Sequence, residues 1–218
     1  MTRSQPSIAM LGALLLAGAA PFAAHSYMGG WAVTTVQDLP DYVVAGKALT
    51  LTYTVRQHGR DLLRNLKPEV EARAGTMQLR ALGVPGKSAG QYVSTITLPT
   101  AGAWTITIRS GFTDSGVTLL PIQAIEPGGR AVVLNDHERG HRLFIAKGCV
   151  TCHGQIAVGP DLTGRQFPVD YVKQLLADPK ATFGSRKGAN EMPNLNLTTQ
   201  EIASLAAFVG NAKQAAVR

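Results

Sequence analysis

The chain lacks the residues that several common kinds of functional site require. It has only two cysteines among 218 residues, and a zinc knuckle would need two further soft ligands. It has no nucleotide-binding loop and no grouping of acid, base and nucleophile side chains, so an independent enzyme is not expected. Aromatic residues make up only 6% of the chain and do not alternate with a basic stripe, which excludes a nucleic-acid surface. Beyond the first 26 residues no segment is long and apolar enough to cross a membrane.

The two cysteines belong to one short motif, Cys149–His153, which reads CVTCH. Two thiols three positions apart, followed directly by histidine, are what covalent attachment of haem c requires. The thiols of Cys149 and Cys152 can add across two haem vinyl groups, and His153 is then the predicted proximal ligand of the iron. A thioredoxin-type redox pair has the same spacing, but it follows a strand and does not call for the histidine. The motif therefore predicts one covalently attached haem c.

Two later segments resemble loops of the small class I cytochromes c. Gly159–Leu162 is similar to the family's Gly-Pro-x-Leu, in which the proline carbonyl accepts the Nδ1 proton of the proximal histidine. Met192–Leu195 is similar to the family's distal loop, in which a methionine thioether is the sixth ligand. Both axial positions of the iron would then be filled. The resemblance implies haem binding by Cys149, Cys152, His153, Pro160 and Met192, with His153 and Met192 as the iron ligands.

The same region has the pattern of an all-α domain, predicted over residues 135–218. Asn135 or Asp136 is expected to cap a first helix that leads into the haem motif. A second helix is predicted at Pro168–Ala177, and Thr198 with Glu201 forms the capping box of a last helix. In the class I family, a glycine and an aromatic on the first helix pack against an aromatic on the last. The matching positions are Gly140, Phe144 and Phe208.

The first 26 residues predict export from the cytoplasm. Arg3 gives a positive start, residues 8–20 form an apolar run, and Ala24–Ser26 has the small residues of a cleavage site. We interpret this segment as a signal peptide, with a retained N-terminal membrane anchor as the alternative. Export predicts a periplasmic location, which agrees with haem c, because bacteria attach this group outside the cytoplasmic membrane.

A second, all-β domain is predicted for residues 27–125. Ala48–Gln57 alternates apolar and polar residues, and Tyr92–Leu98 and Trp104–Arg109 repeat the pattern. A hairpin turn is predicted between the last two strands, at Pro99–Gly102. Shorter strand candidates lie at Trp31–Gln37, Glu69–Arg73, Met77–Ala81 and Val117–Ile125. Roughly seven strands indicate an immunoglobulin-like sandwich, joined to the cytochrome domain by a linker at residues 126–134.

The β-domain resembles periplasmic β-sandwich domains of the YtkA type, which are related to the FixH-like family. The matching segments are Leu51–Gly59, Leu63–Val70, Gly90–Tyr92 and Gly102–Trp104. Members occur in redox and copper-handling settings, which raises the possibility that His58 binds copper. Copper carriers present clusters of ligands, whereas this domain offers only His58, Met28 and Met77, so a turn histidine is favoured. His137 and His141, one helical turn apart, are likewise expected to be surface residues.

Charge and motifs together give the expected function. The formal charge of +7 at pH 7 favours an acidic partner, such as the docking face of a membrane respiratory complex, or anionic lipid head groups. We expect a monohaem, periplasmic carrier of single electrons between respiratory partners, with the sandwich as a docking module. One alternative is an accessory or assembly subunit of a respiratory complex. Another, if Met192 is labile, is a haem-based small-ligand sensor or peroxidase.

Overall fold

The computed structural model describes residues 30–155, 158–162, 165–183 and 192–210. A β-sheet region is followed by helices, which gives the chain a two-domain layout. The strands are β1 (Ala32–Gln37), β2 (Tyr42–Val44), β3 (Ala48–Gln57), β4 (Asp61–Leu62), β5 (Glu69–Ala74), β6 (Met77–Leu82), β7 (Val84–Pro85), β8 (Gln91–Thr97), β9 (Gly102–Arg109), β10 (Gly116–Thr118) and β11 (Ile122–Ile125). The helices are α1 (Asp136–Ala146), α2 (Val169–Ala177), α3 (Pro179–Phe183) and α4 (Thr199–Gly210), with a π-helical segment at Thr151–Gln155.

The predicted signal segment or anchor lies outside the described residues, and so does Met28. Among the helices that the structure describes, none combines the length and the apolar character needed to span a bilayer. The segment between the two regions, residues 126–134, contains neither helix nor strand.

The strands form two sheets. The first has the order β1-β3-β8-β7, with β4 paired to β3, and the second has the order β2-β11-β9-β5-β6, with β10 paired to β9. Strand β2 runs parallel to β11, whereas the long pairs β1-β3, β3-β8 and β5-β9 are antiparallel. Strands β3 and β9 were predicted from their alternating apolar residues. In the structure these residues point inward and are buried, so they form part of the core.

The aromatic residues of this core also have partners for their polar atoms. The hydroxyl of Tyr53 lies 2.9 Å from the Ser94 hydroxyl, and the Tyr92 hydroxyl donates to the Leu63 carbonyl at 2.9 Å. The indole Nε1 of Trp104 donates to the Thr100 carbonyl at 3.0 Å. Burying these large side chains therefore leaves none of the three polar atoms without a hydrogen bond.

The predicted hairpin at Pro99–Gly102 is wrong. Strand β8 belongs to the first sheet and β9 to the second, so this segment crosses from one sheet to the other. The alternation of apolar residues shows which face of a strand is buried, but it does not show which strand pairs with it. Strands β8 and β9 both direct their apolar residues into one core, although they lie in different sheets. The predicted strand at Val117–Ile125 is divided into β10 and β11, with Pro121, which cannot donate a ladder hydrogen bond, between them.

The helix signals in the sequence are confirmed. Asn135 and Glu138 form a reciprocal capping box at the start of α1, and Thr198 and Glu201 do the same for α4. Helix α2 ends before Asp178, as predicted, and the short α3 follows it without having been predicted.

Helices α1 and α4 cross at the glycine that the class I resemblance singles out. A Cβ atom on Gly140 would lie 2.0 Å from the Ser204 carbonyl oxygen and 2.7 Å from Cβ of Phe208. The rings of Phe144 and Phe208 pack beside this point, with their centroids 5.4 Å apart. The absence of a side chain at Gly140 is thus what lets the two helix backbones meet.

The two regions dock directly on each other. The guanidinium of Arg139 makes a two-point contact with the Asp41 carboxylate, at 3.2 and 2.7 Å, and Arg142 Nη1 donates to the Asp41 carbonyl at 2.7 Å. At the end of α1, Gly148 has φ +74°, and a Cβ there would lie 2.3 Å from Cγ1 of Val33 in β1. The sequence predicted surface positions for His137 and His141 of this helix, whereas its residues Arg139 and Arg142 face the sandwich.

Candidate haem site

A cavity of about 960 Å³ lies between the helices and one edge of the sandwich. Its size falls in the range of ligand and cofactor pockets, about 300 to 1,000 Å³. All five residues that the sequence predicts to bind haem line it: Cys149, Cys152, His153, Pro160 and Met192. The structure therefore brings together residues that are separated by up to 43 positions in the chain (192 − 149).

The backbone after α1 presents the CVTCH motif to this cavity. The Gly148 amide donates to the Ile145 carbonyl, and the Thr151 amide then donates to the Gly148 carbonyl, which turns the chain sharply. The π-helical segment that follows carries Cys152 and His153. Single π-helical turns, which are wider than α-helical ones, are frequent at functional sites.

The orientation of His153 is fixed by the segment that follows it. Its Nδ1 lies 2.9 Å from the carbonyl oxygen of Pro160, and because a carbonyl only accepts, Nδ1 carries the proton. The Gly159 amide donates to the Cys152 carbonyl at 2.9 Å, which holds this segment in place. A Cβ on Gly159 would lie 2.8 Å from the imidazole ring, so this position gives the ring its room. The arrangement leaves Nε2 of His153 as the ring nitrogen with a free lone pair.

The two cysteines are free thiols in an apolar setting. Burial, with a smaller contribution from the nearby Cys152, raises the pKa of Cys149 to about 12. Burial also raises the pKa of Cys152. Both groups are therefore uncharged at neutral pH, which suits the cavity that they line.

The rest of the helical wall is largely apolar. The helices supply the lining residues Phe144, Tyr171, Val172, Leu175, Leu176, Leu205 and Val209, and the loops add Val158, Leu162, Phe167, Pro193 and Leu195. Met192 is half-buried in the segment before α4. One charged residue of this wall, Lys147, is buried and pairs with Glu201 at 2.5 Å. Burial alone would raise the pKa of Glu201, but the pairing with Lys147 helps to hold this pKa below its usual value.

The chemistry of these groups fits haem c. An apolar cavity can take the porphyrin, two thiols can form thioethers, and the fixed imidazole and the Met192 thioether are common axial ligands of haem iron. Each of these groups belongs to the lining of the same cavity.

One wall of the cavity was not predicted from the sequence, because it comes from the β-domain. It consists of Trp31, Val33, Thr35, Arg56, His58, Gly59 and Arg60. His58 was interpreted as a turn residue, and its φ of +50° and the +74° of Gly59 do place it in a tight turn. Its position on the haem cavity has no signal in the local sequence, since the cavity brings together residues about 90 positions apart (149 − 58).

The remaining histidines differ from each other. His137 is exposed, as expected, whereas the ring of His141 stacks on Phe208 with centroids 4.7 Å apart. Burial, and then the proximity of His137, lowers the pKa of His141. Within the described residues, no group of three or more histidine, cysteine or acidic side chains is arranged to hold a metal ion.

Comparison with known proteins identifies the helical region. Residues 135–209 match the family described as "Cytochrome C oxidase, cbb3-type, subunit III". No curated protein matches the chain. Among solved structures, the superoxide reductase (neelaredoxin) from Ignicoccus hospitalis aligns with 44% of this chain and 82% of its own, at 13% identity and a TM-score of 0.30. That likeness is too low to bear on the fold or function.

The C-terminal region is therefore a c-type cytochrome domain. Proteins with such domains take part in electron transfer, and the domain implies haem c as its cofactor. Domains of this class typically work in the periplasm or outside the cell. The family match covers about a third of the chain, and the β-sheet region lies outside it.

Proposed function

We propose that this protein is a periplasmic, monohaem c-type cytochrome that carries single electrons between respiratory redox partners. The observation that supports this most is the convergence of Cys149, Cys152, His153, Pro160 and Met192 on one cavity. When bound there, haem c supplies an iron that alternates between the ferrous and ferric states. The chain's first 26 residues would provide export, as a cleaved signal or a retained anchor.

The protein's own part is to hold and tune this group. Cys149 and Cys152 would anchor it as thioethers, and Pro160 keeps the proton on Nδ1 of His153 so that Nε2 is available as a ligand. The thioether of Met192 would complete the axial pair and favour the ferrous state, which gives a relatively high potential. If His153 and Met192 both bind the iron, no open position would remain for a substrate, so the proposed role is that of a carrier and not of an enzyme.

The β-domain would serve as the docking module. The formal charge of +7 favours an acidic partner surface, such as that of a membrane respiratory complex, or anionic lipid head groups, and both attractions should weaken as salt is added. We also propose that the β-domain is an immunoglobulin-like domain of the YtkA/FixH-like type. The two-sheet architecture of this domain supports the proposal.

The test is the absorption spectrum of the purified, dithionite-reduced protein before and after addition of carbon monoxide. A haem c spectrum that carbon monoxide does not change is expected, since Met192 would close the sixth position. A clear shift would overturn the carrier role and favour a small-ligand sensor or peroxidase with a labile Met192. The variant Met192→Ala should bind carbon monoxide and serves as the positive control.

A second candidate is an accessory or assembly subunit of a respiratory complex. The family description, which names a subunit of a cbb3-type oxidase, favours it. Purification from native membranes under mild detergent would decide between the two. A protein free of oxidase subunits is expected for a carrier, whether anchored or released, whereas stable co-purification with an oxidase would establish the subunit.

A further inference from the structure

Part of the wall of the haem cavity belongs to the β-domain. Strand β1 supplies Val33 and Thr35, strand β3 supplies Arg56, and the turn between β3 and β4 supplies His58 and Arg60. A domain that served only to meet a partner protein would not need residues in this position. The wall therefore calls for a role in the haem site itself.

The sandwich side of the cavity is rigidly built. The Arg60 amide donates to the Gln57 carbonyl at 2.9 Å, and the positive φ angles of His58 and Gly59 make this a type I′ turn. The amide of His58 donates to the Trp31 carbonyl at 3.0 Å, and the two rings lie with centroids 5.3 Å apart. Trp31 and His58 are thus fixed to each other as one aromatic surface.

This surface is also held against the helical domain, beside the first haem-attaching cysteine. Val33 reaches within 2.3 Å of the Cβ position of Gly148, the residue directly before Cys149. The bidentate pair of Arg139 with Asp41, each about a quarter exposed, ties α1 to the loop before β2. Partly buried, two-point pairs of this kind fix geometry as well as adding stability.

Among the described residues that line the cavity, the charged ones are Arg56, Arg60, Lys147 and Lys180, and none is acidic. Lys147 is paired with Glu201 behind the wall, which leaves Arg56 as the partly buried cation on the sandwich side. Arg56 is half-buried and donates to the Thr35 hydroxyl at 3.3 Å, and burial lowers its pKa. A ferric haem carries one more positive charge than a ferrous haem. Exclusion of water and a nearby positive charge both disfavour that extra charge, and so raise the reduction potential.

We propose that the β-sandwich is a working part of the haem site. Trp31, His58 and Arg56 cover the cavity beside Cys149, keep water from that side, and so raise the reduction potential of the bound haem. This rests on the proposed function, because it requires haem c in the cavity. The three side chains are positioning residues, since they act through the environment of the iron and not as its ligands.

The experiment is a spectroelectrochemical titration of the full-length holoprotein. Trp31→Ala and Arg56→Gln should each lower the midpoint potential and leave the positions of the absorption bands unchanged, because the axial ligands stay in place. Trp31→Phe should restore most of the wild-type midpoint. Arg109→Gln is the matched control, because Arg109 is an exposed strand arginine of the other sheet and does not line the cavity.

A third variant separates docking from the cavity side chains themselves. Asp41→Ala removes the partner of Arg139 in the β-domain, and it should both lower the midpoint and speed proteolysis within residues 126–134. If Trp31→Ala, Arg56→Gln and Asp41→Ala all keep the wild-type midpoint while holding covalent haem, the proposal is wrong although the carrier function stands. If the wild-type protein carries no covalent haem in a haem-stained gel, the proposed function itself fails. Should Trp31→Ala not fold, Arg56→Gln and Asp41→Ala still decide the matter.

Discussion

The two regions of this molecule fill their interiors in different ways. In the sandwich, Tyr53, Tyr92 and Trp104 are each at most 1% exposed, and hydrogen bonds satisfy their polar atoms. The helical region instead lines most of a cavity of about 960 Å³, which the edge of the sandwich completes, and its side-chain packing is concentrated at the crossing of α1 and α4. One region is stabilised by its own side chains, and the other leaves the centre of its core for a cofactor.

The sharpest test of this difference is to prevent haem attachment. In the double variant Cys149→Ala, Cys152→Ala, we expect the helical domain to lose most of its ordered structure, because its core would lack its largest component. The sandwich should keep its own thermal transition. Far-UV circular dichroism, followed through melting, measures both. A helical signal and a melting curve like those of the holoprotein would contradict this prediction.

The converse test removes the largest side chain of the sandwich core. Trp104→Ala should destabilise the β-domain by about 3 to 5 kcal/mol, the usual cost of emptying a buried aromatic site. The haem spectrum should be unchanged, because Trp104 does not line the cavity. Denaturant unfolding, monitored separately in the far-UV and at the haem band, gives both quantities. Trp104→Phe, which fills most of the space, is the control and should cost less.

A smaller effect is expected at the helix crossing. Gly140→Ala places a Cβ 2.0 Å from the Ser204 carbonyl oxygen, so α1 and α4 must move apart, at a cost of about 1 to 3 kcal/mol. Chemical unfolding of the holoprotein measures it. Gly154→Ala is the control, since the nearest atom to a Cβ there is 3.5 Å away. Equal stability of the two variants would show that the crossing tolerates a methyl group.

The smallest effect concerns pH. Burial, with help from His137, holds the pKa of His141 below its ordinary value of 6.5. In the unfolded chain this histidine takes up a proton at a higher pH than in the folded protein, so stability should fall as pH drops below about 6.5. Unfolding free energies measured between pH 5 and pH 8 test this. The fall should be shallower in His141→Gln, and an identical slope in both proteins would count against the assignment.

The sequence predicted those features that depend on neighbouring residues. The bounds of β3, a cap at the start of α1 and the capping box of Thr198 with Glu201 followed from local patterns, and the structure agrees with them. The connection at Pro99–Gly102 was misassigned because alternation does not identify a strand's partner. The docking of Asp41 with Arg139 was missed for a related reason, since a charged helix face looks the same whether it meets water or another domain.

The position of Gly148 has a consequence for how sequences of this architecture can vary. A side chain there would collide with Val33, and shortening Val33 would still leave the Thr34 carbonyl oxygen 3.0 Å away. That atom belongs to the backbone, so a smaller residue 33 would still leave a tight contact, and the φ of +74° adds a further cost for any other residue at 148. Among homologues, a glycine before the first haem cysteine should therefore accompany a docked sandwich, and its replacement should mark chains in which the two domains have separated.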